Sequence, residues 1–237
     1  MRFSDNVVLV AGGTGGLGRS VSQEFLREGA HVAVTYRNKT EFAALQEAAN
    51  ADASSLTGFT VDVTEEEAVG QLIGQIMTKF GRLDALINTV GGYAGGPALW
   101  ESDVNVFERM LALNLRSGLL LSRAAVPEML KQKRGVIVNI ASKSALDHTA
   151  GSGAYAASKA AALALMNSLA EDLKGTGIRV NSVLPSIIDT EANRKAMPRS
   201  DFAKWPKPQD IARVILFLCS DDAKVIHGAA MPVYGNA

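Results

Sequence analysis

The chain has 237 residues, 47% of them hydrophobic and 20% charged, which suits one folded α/β domain and excludes a disordered protein. Lys plus Arg and Asp plus Glu balance at 24 each, so the charge gives no case for nucleic acid or an anionic membrane surface as partner. The single cysteine, Cys219, excludes an internal disulfide and a Cys-rich zinc site.

The N-terminal run Met1–Gly13 has no apolar core of signal-peptide length, and no stretch reaches the roughly 18–20 apolar residues of a membrane span. Both point to a cytoplasmic protein. Val7–Val10 reads as a short strand, and glycines then lead into a helix over Leu17–Arg27. His31–Thr35 is the next strand and Glu41–Ala49 the next helix. Leu56–Val61 and Glu65–Phe80 repeat the unit. Asp84–Asn88 predicts a fourth strand, followed by one long helical stretch over Val104–Leu130. Gly135–Ile140, an alanine-rich helix over Ala154–Leu173 and a strand over Ile178–Leu184 follow. Ile187–Gln209 carries Pro198, Pro206 and Pro208 without a clear period, so it reads as a loop or small lobe. Ile211–Cys219 returns to helix, with Cys219 at its apolar end as a buried thiol, and Ala230–Tyr234 closes as a strand.

About seven strands separated by helices predict a Rossmann-type, doubly wound parallel sheet with helices on both faces. No linker divides the chain, so residues 1–237 form a single nucleotide-binding and catalytic domain. The 187–209 lobe follows a strand, where an insertion covers a site at the carboxyl ends of the sheet.

Gly12-Gly13-Thr14-Gly15-Gly16-Leu17-Gly18 lies between the first strand and the first helix. Glycines there let the backbone approach a pyrophosphate, and the helix start offers free N–H groups. Further on, Tyr155 and Lys159 lie one helical turn apart on one face, with Ser142 upstream. An ammonium beside a phenol favours the phenolate, so the Tyr155 pKa is expected to fall. Such a trio moves a proton to or from a carbonyl oxygen. His31 and His227 have no ligand-type company, and no metal site is expected.

The Gly12-x-x-x-Gly16-x-Gly18 spacing resembles that of the classical short-chain dehydrogenases/reductases, and the resemblance spans essentially the whole chain. The family's strand-4 motif appears as Asn88-Thr89-Val90-Gly91. Asn114, Ser142, Tyr155 and Lys159 match its catalytic residues, Pro185–Thr190 its nicotinamide segment, and Asp62-Val63 its adenine-flanking pair. The resemblance implies Tyr155 as general acid, Lys159 lowering its pKa and bonding the ribose, Ser142 orienting the carbonyl and Asn114 holding a water. It implies cofactor contacts at Gly12, Thr14, Gly16, Leu17, Gly18, Arg37, Asp62, Val63, Asn88, Tyr155, Lys159, Pro185, Ile188 and Thr190. It also implies a homo-oligomer, a tetramer or dimer, with the 104–130 and 154–173 helices at one interface.

The second strand ends in Thr35-Tyr36-Arg37-Asn38 with no carboxylate for ribose hydroxyls, so Arg37 predicts NADP(H) over NAD(H). The loops at 91–96 and 189–205 resemble those of dihydropteridine reductases, although the serine and the strand-2 end depart from that branch. Tyr93, His148 and Trp205 are the substrate-pocket candidates, with Trp205 equally placed to be lobe core. The expected function is an NADP(H)-dependent carbonyl reductase or alcohol dehydrogenase acting on a small carbonyl, quinonoid or pterin substrate. The alternatives are a pterin reductase and a non-catalytic NADP(H)-binding regulator.

Overall fold

The computed structural model describes residues 1–236. Seven parallel strands form one sheet in the order β3-β2-β1-β4-β5-β6-β7. They are β1 (Val7–Ala11), β2 (His31–Tyr36), β3 (Leu56–Thr60), β4 (Ala85–Asn88), β5 (Gly135–Ile140), β6 (Ile178–Pro185) and β7 (Ala230–Val233). The main helices are α1 (Gly16–Arg27), α2 (Lys39–Ala49), α3 (Glu66–Phe80), α4 (Val104–Leu111), α5 (Ser117–Gln132), α6 (Gly153–Asp172), α7 (Glu191–Ala196) and α8 (Pro208–Cys219).

The central strands are apolar on both faces because both faces are covered. Val8 and Val10 of β1 face a core built with Val21 and Phe25 of α1 and Ile211, Ile215 and Leu218 of α8. Val7, Leu9 and Ala11 face the opposite core, with Leu72 and Ile76 of α3, Leu121 and Met129 of α5, and Met166 of α6. Order reverses between β1 and its neighbours β2 and β4, so a crevice opens beyond their carboxyl ends. At the opposite end, buried Asp84 accepts from the Val7 N–H at 2.9 Å and pairs with Arg82 at 2.6 Å.

One expectation needs correction. The long helix read over Val104–Leu130 is two helices joined by a π-turn at Ala112–Arg116. The widened turn presents Asn114, whose side-chain amide bonds outward to neighbouring elements. The 187–209 segment is more ordered than a loop. Thr190 caps the short α7 through a bond from the Asn193 N–H, a 3₁₀ turn spans Phe202–Lys204, and α8 already starts at Pro208.

Candidate active site

The glycine loop is held by threonines from both neighbouring strands. Thr35 Oγ1 accepts from Gly12 N–H at 2.8 Å, and Thr89 Oγ1 donates to Ala11 O at 2.7 Å. Gly12 has φ +75°, a left-handed conformation, and a Cβ at Gly18 would stand 2.1 Å from Gly12 O. Leu17 is buried in the core behind the loop. The methyl of Thr190 lies over Gly16, where a Cβ would meet it at 2.8 Å, so the lobe rests on the loop.

Beside the loop lies a cleft of about 270 Å³. Gly12, Thr14, Arg37, Asp62, Val63 and Gly91 all line it. Asp62 accepts from the Thr64 N–H at 2.9 Å and its hydroxyl at 2.7 Å. These bonds, and the nearby Arg37, hold its carboxyl below the usual range. Asn88 is buried and structural: its amide donates to Asn139 at 3.1 Å and accepts from the Val90 N–H. Pro185 is buried and Ile188 packs on the core, at the base of the lobe.

Beyond the cleft, α6 brings Tyr155 and Lys159 to the end of β5. Ser142 lies close enough to the Tyr155 phenol to act on its pKa, and its hydroxyl accepts from the Ser144 N–H at 3.1 Å. Lys159 is buried, and its Nζ donates to Ile140 O at 2.7 Å. Gly91 ends the cleft here, since a Cβ on it would stand 3.2 Å from Lys159 Nζ and 2.8 Å from Asn114 Oδ1. Asn114 donates to Ser158 at 2.9 Å and to Gly92 O at 3.0 Å, and accepts from Gly92 N–H at 3.0 Å. All four residues of the expected catalytic set therefore converge on this end of the cleft.

The protonation picture corrects one expectation. Burial raises the Tyr155 pKa rather than letting it fall, and Ser142 only partly opposes this. Burial likewise lowers Lys159 to about 8. The lysine's charge is directed at the Ile140 carbonyl, and desolvation dominates at the phenol.

The substrate candidates separate. Tyr93 is 68% exposed and meets Tyr155 edge-to-face, with ring centroids 5.0 Å apart. His148 is exposed and donates through Nδ1 to Ser144 O at 3.2 Å. Trp205 is buried at 7% exposure against Phe202, the lobe-core placement. Sequence reasoning passes over Thr35, Thr89 and Glu41. The first two are ordinary strand-end residues in sequence, and only Glu41 left a signal, in the capping pattern Asn38-x-x-Glu41.

Fold and site define a class: a doubly wound sheet with a glycine loop at its switch point and a Ser–Tyr–Lys set beyond the end of the cleft. Residues 6–201 match the short chain dehydrogenase family, and the chain belongs to that family. It is 34% identical to the meso-2,3-butanediol dehydrogenase of Serratia marcescens, over 100% of this chain and 96% of the relative. It is 29% identical to a 3-oxoacyl-(acyl-carrier-protein) reductase of Thermotoga maritima, over 100% and 99%. The solved structure of ElxO with NADP bound superposes with a TM-score of 0.92 at 30% identity, covering 97% of each chain. The chain is thus an oxidoreductase among enzymes of alcohol and carbonyl groups. Among the described residues, no helix is long and apolar enough to cross a membrane.

Proposed function

We propose that the protein is a carbonyl reductase, or in reverse an alcohol dehydrogenase, that prefers NADP(H) and accepts NAD(H). The observation that carries this reading is the gathering of Ser142, Tyr155, buried Lys159 and Asn114 at the end of the cleft. The cleft fits a dinucleotide. Its loop has no room for side chains at Gly13 or Gly18, leaves Gly15 and Gly16 exposed, and opens a helix N-terminus. Gly12, Thr14, Gly16 and Gly18 would hold the pyrophosphate, with Asp62 and Val63 at the adenine. Arg37 would take the 2′-phosphate, while Asn88, Pro185, Ile188 and Thr190 would frame the nicotinamide. When bound, that group supplies or accepts a hydride.

The chain's own residues manage the proton. With its pKa raised, Tyr155 keeps its phenolic proton at neutral pH and can donate it to an oxygen that becomes an alcohol. Ser142 holds that oxygen beside the phenol. Lys159 Nζ, anchored on Ile140 O, places its remaining hydrogens toward the cofactor side near Gly91. Asn114 fixes the backbone of Gly92, and so the entry of Tyr93 into the mouth. A small ketone beside the Tyr155 phenol suits a site that carries an orienting serine better than a pterin, which needs no oriented carbonyl.

The test is a screen following NADPH absorbance with vicinal diketones, β-ketoacyl thioesters and quinonoid dihydropterin. Ketone reduction is expected, and Tyr155→Phe should cut it by at least about 100-fold while NADPH still binds. Undiminished activity in Tyr155→Phe, or a kcat/KM for NADH at least equal to that for NADPH, defeats the corresponding part of the reading.

A further inference from the structure

We infer that Glu41 is a specificity-determining residue for the cofactor, supplying from α2 the carboxylate that the end of β2 lacks. The inference rests on the dinucleotide reading above and deepens it.

Glu41 occupies the third position of α2, after the cap residue Asn38, whose side chain accepts from Thr40 N–H at 2.9 Å. In a capping box the third-position glutamate turns back to the cap's own N–H. Here it leaves the helix and accepts from the Thr14 hydroxyl at 3.0 Å. The carboxylate therefore spans from α2 to the glycine loop, and both residues line the cleft. Arg37 and Asn38 line the same wall. Any molecule running from the loop to the end of β2 must pass the Glu41–Thr14 bond.

The charges there set up a contest. Among the lining residues Arg37 is cationic, while Glu41 and Asp62 are anionic, and Arg37 already acts on Asp62. A ribose carrying free hydroxyls offers donors to Glu41. A ribose carrying a phosphate offers only negative charge, attracting Arg37 and repelling Glu41. Arg37 alone would make the site strongly selective for the phosphorylated cofactor. With Glu41 opposite, the selectivity is reduced, and both cofactors remain usable.

Glu41→Gln separates charge from contact, because the amide oxygen still accepts from Thr14 while the negative charge is gone. Dissociation constants for NADPH and NADH are measured by cofactor fluorescence on the full chain, with Glu41→Ala and Arg37→Gln alongside. Glu41→Gln is expected to raise the NADPH-to-NADH affinity ratio by about fivefold or more, the effect of roughly 1 kcal/mol. Arg37→Gln should lower it. A ratio within twofold of the unaltered chain's in Glu41→Gln overturns the inference, as do equal rises or equal falls in both affinities. If the unaltered chain binds neither dinucleotide, the cofactor reading itself fails and takes this inference with it. If it binds both and only the ratio stays fixed, the Glu41 assignment alone fails.

Discussion

Lys159 is where stability and chemistry oppose one another. Its pKa falls from 10.5 to about 8 on burial, so holding the proton in the folded chain at neutral pH costs on the order of 3 kcal/mol. Below pH 8 folded and unfolded chains both carry the charge, and the cost stands in full. Between about 8 and 10.5 the unfolded chain binds a proton that the folded chain has shed, so stability rises with pH across that window. Lys159→Met removes the charge and loses one hydrogen bond to Ile140, worth about 1 kcal/mol. The variant should melt about 4–8 °C higher at pH 7, lose turnover, and lose the alkaline rise in stability. Thermal melts across pH 6–10.5 check this, and an unchanged pH profile in the variant refutes it. The same burial explains why the phenol beside it departs from the sequence expectation. Spacing reveals that Tyr155 and Lys159 are neighbours, but not how much water reaches them.

At the scale of elements, glycines divide by the space around them. Gly18→Ala would force a methyl to within 2.1 Å of Gly12 O, so the start of α1 must shift; a loss of at least about 2 kcal/mol with weakened cofactor binding is expected. Gly74, exposed in the interior of α3, has nothing within 4 Å of its added Cβ, and Gly74→Ala should gain about 0.5–1 kcal/mol. Denaturant unfolding of the two variants should move in opposite directions. The strands are legible because a doubly covered parallel sheet is written as continuous apolar runs, as in Val7–Ala11 and Gly135–Ile140. The π-turn is not, because one widened turn leaves the apolar period of Val104–Leu130 almost intact. The lobe hides for another reason: its prolines erase any period, while its order comes from tertiary contacts such as the Asp189 N–H to Pro206 O bond at 3.0 Å.

At the scale of the molecule, the approach to α4 carries Leu99, Trp100 and Val104, exposed by 68%, 86% and 68%. So much apolar surface in one segment is costly in water, and association through it would cover that surface. Sedimentation velocity should show a dimer or tetramer, and Trp100→Glu should shift it toward a smaller species; an unaltered chain that sediments as a monomer contradicts the expectation. The end of the cleft beside Tyr155 is readable in sequence because its four residues sit at recognisable spacings. The end beside β2 and α2 is only half readable. Arg37 announces itself at the end of β2, whereas the reach of Glu41 to Thr14 joins two elements 27 residues apart and depends on a side-chain direction that no pattern records.

Asn114 grips both the N–H and the C=O of Gly92, as an adjoining strand would, and the next residue along, Tyr93, rests on Tyr155. The joint between α4 and α5 is thus geared to the rim of the catalytic mouth. One amide and one peptide unit therefore tie that joint to the ring that borders the Tyr155 phenol.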